Sequence, residues 1–528
     1  MPAAPHEIVS SSSASEQRTS VAKELRPLLP ADWLKFAVLA LMLAMIVALL
    51  WFPLRRMGGD CQINYNEGWN AYKQALARNG QPLYGAPLDP LTGPTTYPPV
   101  SFHLIGWLAH DGDVVRTGRW LSLLSVLWTG LFVGLIVREL GADEVVAVFS
   151  GLLYILGIAI FLPDRLGMDD PQLLGEAFTT AGLYCYVKGR DRTRLLVASA
   201  FLFCLAGFTK QNLLAFPAAA GLDLLLRSRR RFALWTGAMV GLAALFTVLT
   251  LTVDGRYFPA HLLFHRTYSL DAALVSATQY YLVTFQGIML VAIVWILCRG
   301  RSCPLLVTAF LLANALGFVL AGGDGVDLNI YFNAFAAGVL ICGVAVAEFD
   351  GRRLPDELEI HPRPKLRRYS GVKAAALMVA LFLCVSIAFP DRLSADRLRA
   401  RQLASDEAEF RAAVALLQAT KGPALCENLL LCYRAGKPYV LDTFVASDQI
   451  DLGALDEDAL PAMLRAQRFG AVELDVLPEE ALASAPLRRE RPRFSAEATD
   501  ALLANYELRM RTAHLLIFLP KQERGAGN

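Results

Sequence analysis

From Trp33 to Pro390 the chain alternates apolar runs with short polar turns, and the runs have the length of a bilayer. About 17–25 apolar residues cross the hydrocarbon core as a helix, the form in which a lone segment satisfies its own backbone polar groups there. The pattern predicts eleven spans: 34–54, 119–138, 143–162, 172–187, 194–209, 212–226, 232–253, 277–298, 304–321, 329–348 and 373–390. The fifth and sixth are short and meet at Lys210-Gln211-Asn212, so ten helices with a re-entrant pair are the alternative. Val100 to Ala109 is apolar but too short to span, and is expected at the interface. The run beginning at Trp33 is too long for a signal peptide and lacks an Ala-x-Ala exit, so it reads as a first anchor. Residues 1–25, with serines from Ser10 to Ser13, are expected to be disordered.

Beyond Pro390 the periodicity changes. Residues 392–419 read as an amphipathic helix. A strand follows at Ala424 to Cys426, a helix from Asn428 to Ala435 closed by Gly436, and a strand at Tyr439 to Leu441. Next come a helix near Glu457 to Gln467, a strand at Ala471 to Leu474 and a last strand at His514 to Leu519. Alternation of this kind suggests a small α/β unit. The expected fold is therefore an all-α polytopic membrane bundle of about eleven transmembrane helices with a small C-terminal α/β domain. The divisions are 1–30, 31–392 with a long first loop at 55–118, and 393–528.

Charge supplies the orientation. Only 19% of residues are charged, against about 25% in soluble domains, and the formal net charge is +2. That balance gives no nucleic-acid signature, and the expected partner surface is membrane lipid. With the N-terminus inside, the inner turns hold Lys188, Arg190, Arg192 and Arg194, then Arg227 and Arg229 to Arg231, then Arg299 and Arg301. The last inner loop adds Arg352, Arg353, Arg363, Lys365, Arg367, Arg368 and Lys373. The outer turns hold far fewer, although Arg55 and Arg56 run against the trend. This is the positive-inside bias, and eleven spans then leave the C-terminal domain outside. The chain has nine cysteines; Cys185, Cys204, Cys298, Cys342 and Cys384 fall in or at the ends of spans, and Cys303 at the inner face. Cys61, Cys426 and Cys432 would meet an oxidising compartment. A Cys426–Cys432 bridge requires a turn between them, because six residues of continuous helix or strand separate the Cα atoms too far.

Ionisable groups near spans are costly, and here they collect on the expected outer face. The first loop has Asp60, Asn64, Glu67, Trp69 and Tyr97-Pro98-Pro99; the second turn has Asp169-Asp170-Pro171. Lys210 and Gln211 occupy the third turn, and Arg256, His265 and Arg266 the fourth. Asp170 before Pro171 also suits a helix N-cap, and the aromatic residues also suit an interfacial belt. No phosphate-loop or dinucleotide fingerprint is present, which counts against an ATP-driven pump.

An acidic residue just past the first span (Gly58-Gly59-Asp60), a second acidic site at Asp169-Asp170 and the Tyr97-Pro98-Pro99 element together resemble the GT-C superfamily of membrane glycosyltransferases. The pattern is similar to bacterial aminoarabinose, mannosyl and rhizobial core-sugar transferases. Many members carry two adjacent acidic residues in the first loop, whereas Asp60 is followed by Cys61 and the next carboxylate is Glu67. The resemblance implies transfer of a sugar from a polyprenyl-phosphate donor to an envelope glycan, lipid or protein acceptor, at the periplasmic face of a bacterial inner membrane. Asp60 is then the expected base, with Glu67 the other first-loop acid. Asp169 and Asp170 would orient the acceptor or hold a divalent cation. Lys210, Arg256 and Arg266 would meet the phosphate with His265 assisting, Trp69 and Tyr97 would stack on the sugar, and Gln211 and Asn64 are further expected substrate-binding residues. The competing readings are a carrier or flippase of lipid-linked sugars and a polysaccharide polymerase or ligase. A carrier places its ionisable groups nearer mid-membrane.

Overall fold

The structure, a computed structural model, describes residues 30–300, 303–352, 371–475 and 493–521. The segment 1–25 and the basic residues Arg301, Arg353, Arg363, Lys365, Arg367 and Arg368 lie outside the described residues. The membrane part comprises α1 (Pro30–Arg56), α4 (Val114–Glu139), α5 (Glu144–Phe161), α6 (Pro171–Gly189), α7 (Thr193–Gly207), α8 (Ala215–Arg227) and α9 (Arg229–Val253). It continues with α11 (Leu270–Thr278), α12 (Gln286–Arg299), α13 (Pro304–Leu320), α14 (Phe332–Phe349) and α15 (Gly371–Ser386). The first loop folds into α2 (Asn66–Arg78) and the short α3 (Val100–Leu108), and α10 (Phe258–Leu262) follows α9.

Among the described residues, six helices are long and apolar enough to cross a bilayer by length and composition, or seven if one bent pair counts as a span. The protein is thus a multi-pass membrane protein. Helices α6, α7, α8 and α13 occupy the other expected span positions. The expected straight span at 277–298 is corrected. A π-helical stretch, Gln279–Thr284, joins α11 to α12, and the pair bends by 93°. Aromatic stacking fixes the break, with Tyr280 on Tyr331 at 4.3 Å and Phe285 on Phe335 at 4.1 Å. Small residues let α4 and α5 approach backbone to backbone. A Cβ on Gly134 would lie 2.7 Å from the Ala147 carbonyl oxygen, and one on Gly151 would lie 2.6 Å from that of Gly130. Helix α14 is the hub, 94% buried along its apolar window, whereas α9 is 6% buried and faces outward.

Helix α16 (Phe389–Ala419) continues from α15 and carries the chain to a four-stranded sheet of order β1-β2-β4-β3. Its strands are β1 (Ala424–Cys426), β2 (Ala471–Leu474), β3 (Tyr506–Arg511) and β4 (Leu516–Pro520). β1 and β2 run parallel and the other pairs antiparallel. Helices α17 (Leu429–Arg434), α18 (Thr443–Asp451), α19 (Ala459–Arg465) and α20 (Ala496–Asn505) complete the unit. Cys426 and Cys432 form a disulfide across the turn from β1 into α17, with Cα atoms 6.0 Å apart. The strand expected at Tyr439 to Leu441 is absent. That segment bonds to the first loop instead of to a sheet, through Tyr439 Oη to the Thr92 carbonyl and Asp442 N to the Leu91 carbonyl. Asp442 then caps α18.

The sheet unit and the first loop share one apolar core, with Ala71, Ile105 and Val114 packed with Phe410, Leu417, Leu430 and Ile517. Gly68 on α2 allows the closest approach, since a Cβ there would run into the backbone at Leu429 and Leu430.

Candidate active site

The expected polar residues gather at one end of the bundle, and two buried arginines fix its frame. Arg56, at the end of α1, donates Nη2 to the carbonyls of Pro163, Asp164 and Leu166 at 3.0, 3.1 and 3.0 Å. It ties the second turn to the first span, which accounts for a cation where the charge bias disfavours one. Arg119, fully buried near the start of α4, donates Nη1 to the Gly59 carbonyl (2.7 Å) and Nη2 to that of Cys61 (2.6 Å). The same guanidinium holds both oxygens of Glu67, Nε to Oε1 at 2.9 Å and Nη2 to Oε2 at 2.8 Å. Glu67 further accepts the amides of Ile63 (2.7 Å) and Asp169 (3.1 Å). It is fully buried and both its oxygens are occupied. Asp60 sits inside this frame, half-buried, and among the described residues its carboxylate has no hydrogen-bond or ion-pair partner.

Asp169 and Asp170 are neighbours in very different surroundings. Asp169 is wholly buried, accepts from Gln74 Nε2 at 2.6 Å, and leaves Oδ1 without a partner. Gly118 on α4 makes room for it, because a Cβ there would collide with the carboxyl. Burial pushes the Asp169 carboxyl well above the usual range, against the hydrogen bond from Gln74. Asp170 caps α6 through Oδ1 to the Gln172 amide at 2.9 Å, while Oδ2 meets Arg165 Nη1 at 3.3 Å and Asn329 Nδ2 at 3.0 Å. Burial would raise Asp170 too, but the charges of Lys210 and Arg165 outweigh it and hold the carboxyl below the usual range. Arg165 also pairs with Asp327.

Lys210 projects its ammonium over the Tyr97 ring, 4.6 Å from the centroid. Among the described residues it has no carboxylate within ion-pair distance, and its positive field is felt at Asp170. Tyr97 in turn meets Trp69 edge-on at 5.2 Å. Trp69 is buried against Phe102 and Leu83, so its face is taken up by packing. Asn64 Oδ1 accepts the Asn66 amide at 3.2 Å and shapes the entry to α2. Gln211 donates to the Thr96 carbonyl at 2.9 Å, beside the Tyr97 element. The fourth turn is more dispersed: Arg256 is exposed on Tyr257, His265 is exposed, and Arg266 donates to the Asp324 carbonyl at 3.2 Å.

Asp60, Glu67, Asp169, Asp170, Lys210 and Tyr97 therefore lie at one end of the bundle, with Asp60 held there through its backbone, and among the described residues no side-chain contact ties Arg256 or His265 to them. Sequence reading passed over Arg119, Gln74 and Asn329. An arginine inside a predicted span was the available signal for Arg119. Among the described residues no three His, Cys, Asp or Glu side chains gather as a metal site, so a divalent cation at Asp169-Asp170 has no assembled ligand set.

A family model, dolichyl-phosphate-mannose-protein mannosyltransferase, matches residues 98–220, which run from Pro98 through the second turn to Lys210 and into α8. No curated protein matches the chain in sequence. Among solved structures, ArnT from Cupriavidus metallidurans in the apo state aligns with TM-score 0.54 and 14% identity, over 91% of this chain and 98% of that one. ArnT bound to undecaprenyl phosphate aligns with TM-score 0.53 and 14% identity, over 93% and 98%. The oligosaccharyltransferase of Archaeoglobus fulgidus tethered to an acceptor peptide aligns with TM-score 0.50 and 13% identity, over 92% and 74%. The chain is a membrane glycosyltransferase with the GT-C fold. The matched family region carries the Asp169-Asp170 turn and Lys210, and the shared fold extends through the C-terminal unit of this glycosyltransferase.

Proposed function

We propose that this glycosyltransferase moves a sugar from a polyprenyl-phosphate donor to an envelope glycan, lipid or protein acceptor at the periplasmic face of a bacterial inner membrane. The observation that carries the reading is the pairing of a carboxylate left open, Asp60, with a cation left open, Lys210, at the same end of the bundle. The undecaprenyl phosphate bound by ArnT supports the donor class.

The chemistry follows from those two groups. Asp60 takes the proton of the acceptor hydroxyl as its oxygen bonds to the anomeric carbon, which a half-buried, unpaired carboxylate can do. The bond from that carbon to the phosphate oxygen breaks, and the phosphate leaves with the electron pair. Lys210 meets the charge that develops on it. Asp170 lies in the field of Lys210 while its carboxylate is held by Arg165 and Asn329. Glu67 is assigned to holding the loop, since both its oxygens are engaged by Arg119 and by amides. Asp169, buried, locks α2 to the second turn through Gln74. Gln211 steadies the Tyr97 element, Tyr97 lines the cation, and Arg266 is a second cation for the donor headgroup.

Lipid mass spectrometry of cells lacking the protein tests the reading. A polyprenyl-phosphate sugar should accumulate and an envelope glycan should lose a residue, both restored by the wild-type gene and not by Asp60→Asn. An unchanged lipid and glycan profile would overturn it.

A further inference from the structure

The backbone around Asp60 is gripped from two sides, and one grip comes from outside the membrane bundle. On the membrane side, Arg119 binds the carbonyls of Gly59 and Cys61 at 2.7 and 2.6 Å. On the other side, Glu407 of α16 accepts the two intervening amides, Asp60 N to Oε2 at 2.9 Å and Cys61 N to Oε1 at 3.2 Å. Gly59 N is bonded as well, to the Arg56 carbonyl at 3.0 Å. Two carbonyls and two amides of a three-residue segment are thus held by two side chains of opposite charge. The fit is close, because a Cβ on Gly59 would fall inside contact distance of the Glu407 carboxylate. Among the described residues the Asp60 carboxylate is left without a partner.

We infer that Glu407 is a positioning residue for Asp60, so that the segment following the last membrane helix completes the active site. The inference rests on Asp60 being the base. Charge-assisted hydrogen bonds to successive amides fix a loop more tightly than neutral ones, and a base displaced by about 1 Å can cost about 10²-fold in rate. Glu407 differs in this from its neighbour Arg399, two turns earlier on α16, which meets Asp164 at 2.9 Å and does not touch residues 59–61.

Cys61 is a built-in reporter. Its thiol is half-buried, so loosening the segment exposes it; because burial, and Glu407 with it, holds the thiol upward, amide exchange of the Cys61 peptide is the readout that separates loosening from the lost charge. The experiment uses the full-length protein in nanodiscs, with Glu407→Ala, Glu407→Gln, Gly59→Ala and Arg399→Ala. Three quantities are read: maleimide alkylation of Cys61 with amide exchange of its peptide, sites binding undecaprenyl phosphate, and turnover per such site. Turnover is clearance of the donor lipid from membranes of cells lacking the protein. Counting turnover per binding site removes any loss of folded protein. Glu407→Ala should raise Cys61 alkylation about tenfold and lower turnover per site by about 10²-fold. Glu407→Gln, which keeps one acceptor, should fall between. Gly59→Ala retains the charge but displaces the carboxylate, and should behave like Glu407→Ala. Arg399→Ala should change neither quantity. Unchanged alkylation and exchange in both Glu407→Ala and Gly59→Ala would overturn the grip itself. A loosened segment with parental turnover per site would overturn the positioning role. Parental turnover in Asp60→Asn would instead overturn the base assignment, and the positioning role with it, while leaving the grip measurable.

Discussion

Glu67 and Asp60 lie seven positions apart in one loop, yet their variants should fail in different ways. Asp60→Asn removes an open carboxylate, so the protein should fold normally and lose about 10²–10⁴-fold in transfer rate. Glu67→Gln breaks a buried pair and leaves the Arg119 charge uncompensated, at a cost of about 3–5 kcal/mol, so the fall should appear in thermal stability and yield. Folded but inactive Glu67→Gln beside active Asp60→Asn would exchange the two roles. Lys210→Met should reduce transfer at limiting and saturating donor alike, because one charge serves binding and departure; a parental rate at both concentrations would remove Lys210 from the donor site. Lys73 allows a pH test. It lies between the Trp69 and Tyr439 rings, at 5.9 and 5.1 Å, and burial pushes it down to about 8, against the charge of Asp442. The unfolded chain holds that proton up to about 10.5, so between these values it binds more protons than the folded state and stability rises with pH. Lys73→Met should flatten that rise in denaturation midpoints measured from pH 7.5 to 10.5. At this scale the cost of polar groups at span ends singled out Asp60, Asp169, Asp170 and Lys210 in the sequence, and the fold places them at one end of the bundle. The sequence put Asp60 before Glu67 only through the family resemblance; the engagement of both Glu67 oxygens by Arg119 depends on a residue 52 positions away and was not legible.

The membrane helices were legible as elements, because an apolar run of bilayer length has few other uses. What the runs did not show was where a helix breaks. The bend at Phe285 packs on the rings of Tyr331, just before α14, and Phe335, in its first turn; Gly287 lies two residues on, but a lone glycine in an apolar run does not mark a bend of this size. The edge strand β3 was missed although Tyr506–Arg511 alternates apolar and charged residues; in the fold this alternation is not matched by burial, because an edge strand leaves most of its residues exposed. The strand expected at Tyr439 has suitable residues but bonds to the first loop. Packing between elements gives a further expectation. Gly134→Leu or Gly151→Leu would push α4 from α5, which together carry Arg119 and lead into the Asp169 turn. Overpacking of this kind costs about 1–3 kcal/mol, so the thermal midpoint in detergent should fall and activity with it. Gly237→Leu on outward-facing α9, where a Cβ meets nothing within 4 Å, should leave the midpoint unchanged. Equal midpoints for all three variants would remove the close α4–α5 contact as a determinant of the fold.

For the whole molecule, orientation can be argued from two unrelated features. One is charge: Lys188, Arg190, Arg192 and Arg194 lie at the α6–α7 turn and Arg227 to Arg231 at the α8–α9 turn, the opposite end from Asp60 and Lys210. The other is redox chemistry. Disulfides persist in oxidising compartments, and the bonded pair Cys426–Cys432 lies in the sheet unit, whereas Cys303 at the start of α13 is a free thiol. Both agree with the proposed orientation, in which the basic turns lie in the cytoplasm and the sheet unit in the periplasm, on the side where Glu407 reaches Asp60. Reporter fusions after Gly189 and Arg230 should therefore read cytoplasm, and a fusion after Lys521 should read periplasm. Cys426 and Cys432 in intact cells should resist alkylation until reduced, and Cys432→Ser should lower stability by about 2 kcal/mol for so short a loop. A cytoplasmic reading after Lys521 would mean that one expected span does not cross, most simply within the short pair α7 and α8, whose shared turn holds Lys210. The same result would put the disulfide in a reducing compartment, so thiol labelling in intact cells would have to fail together with the fusion. Agreement of the two readouts on either side decides the orientation of the site.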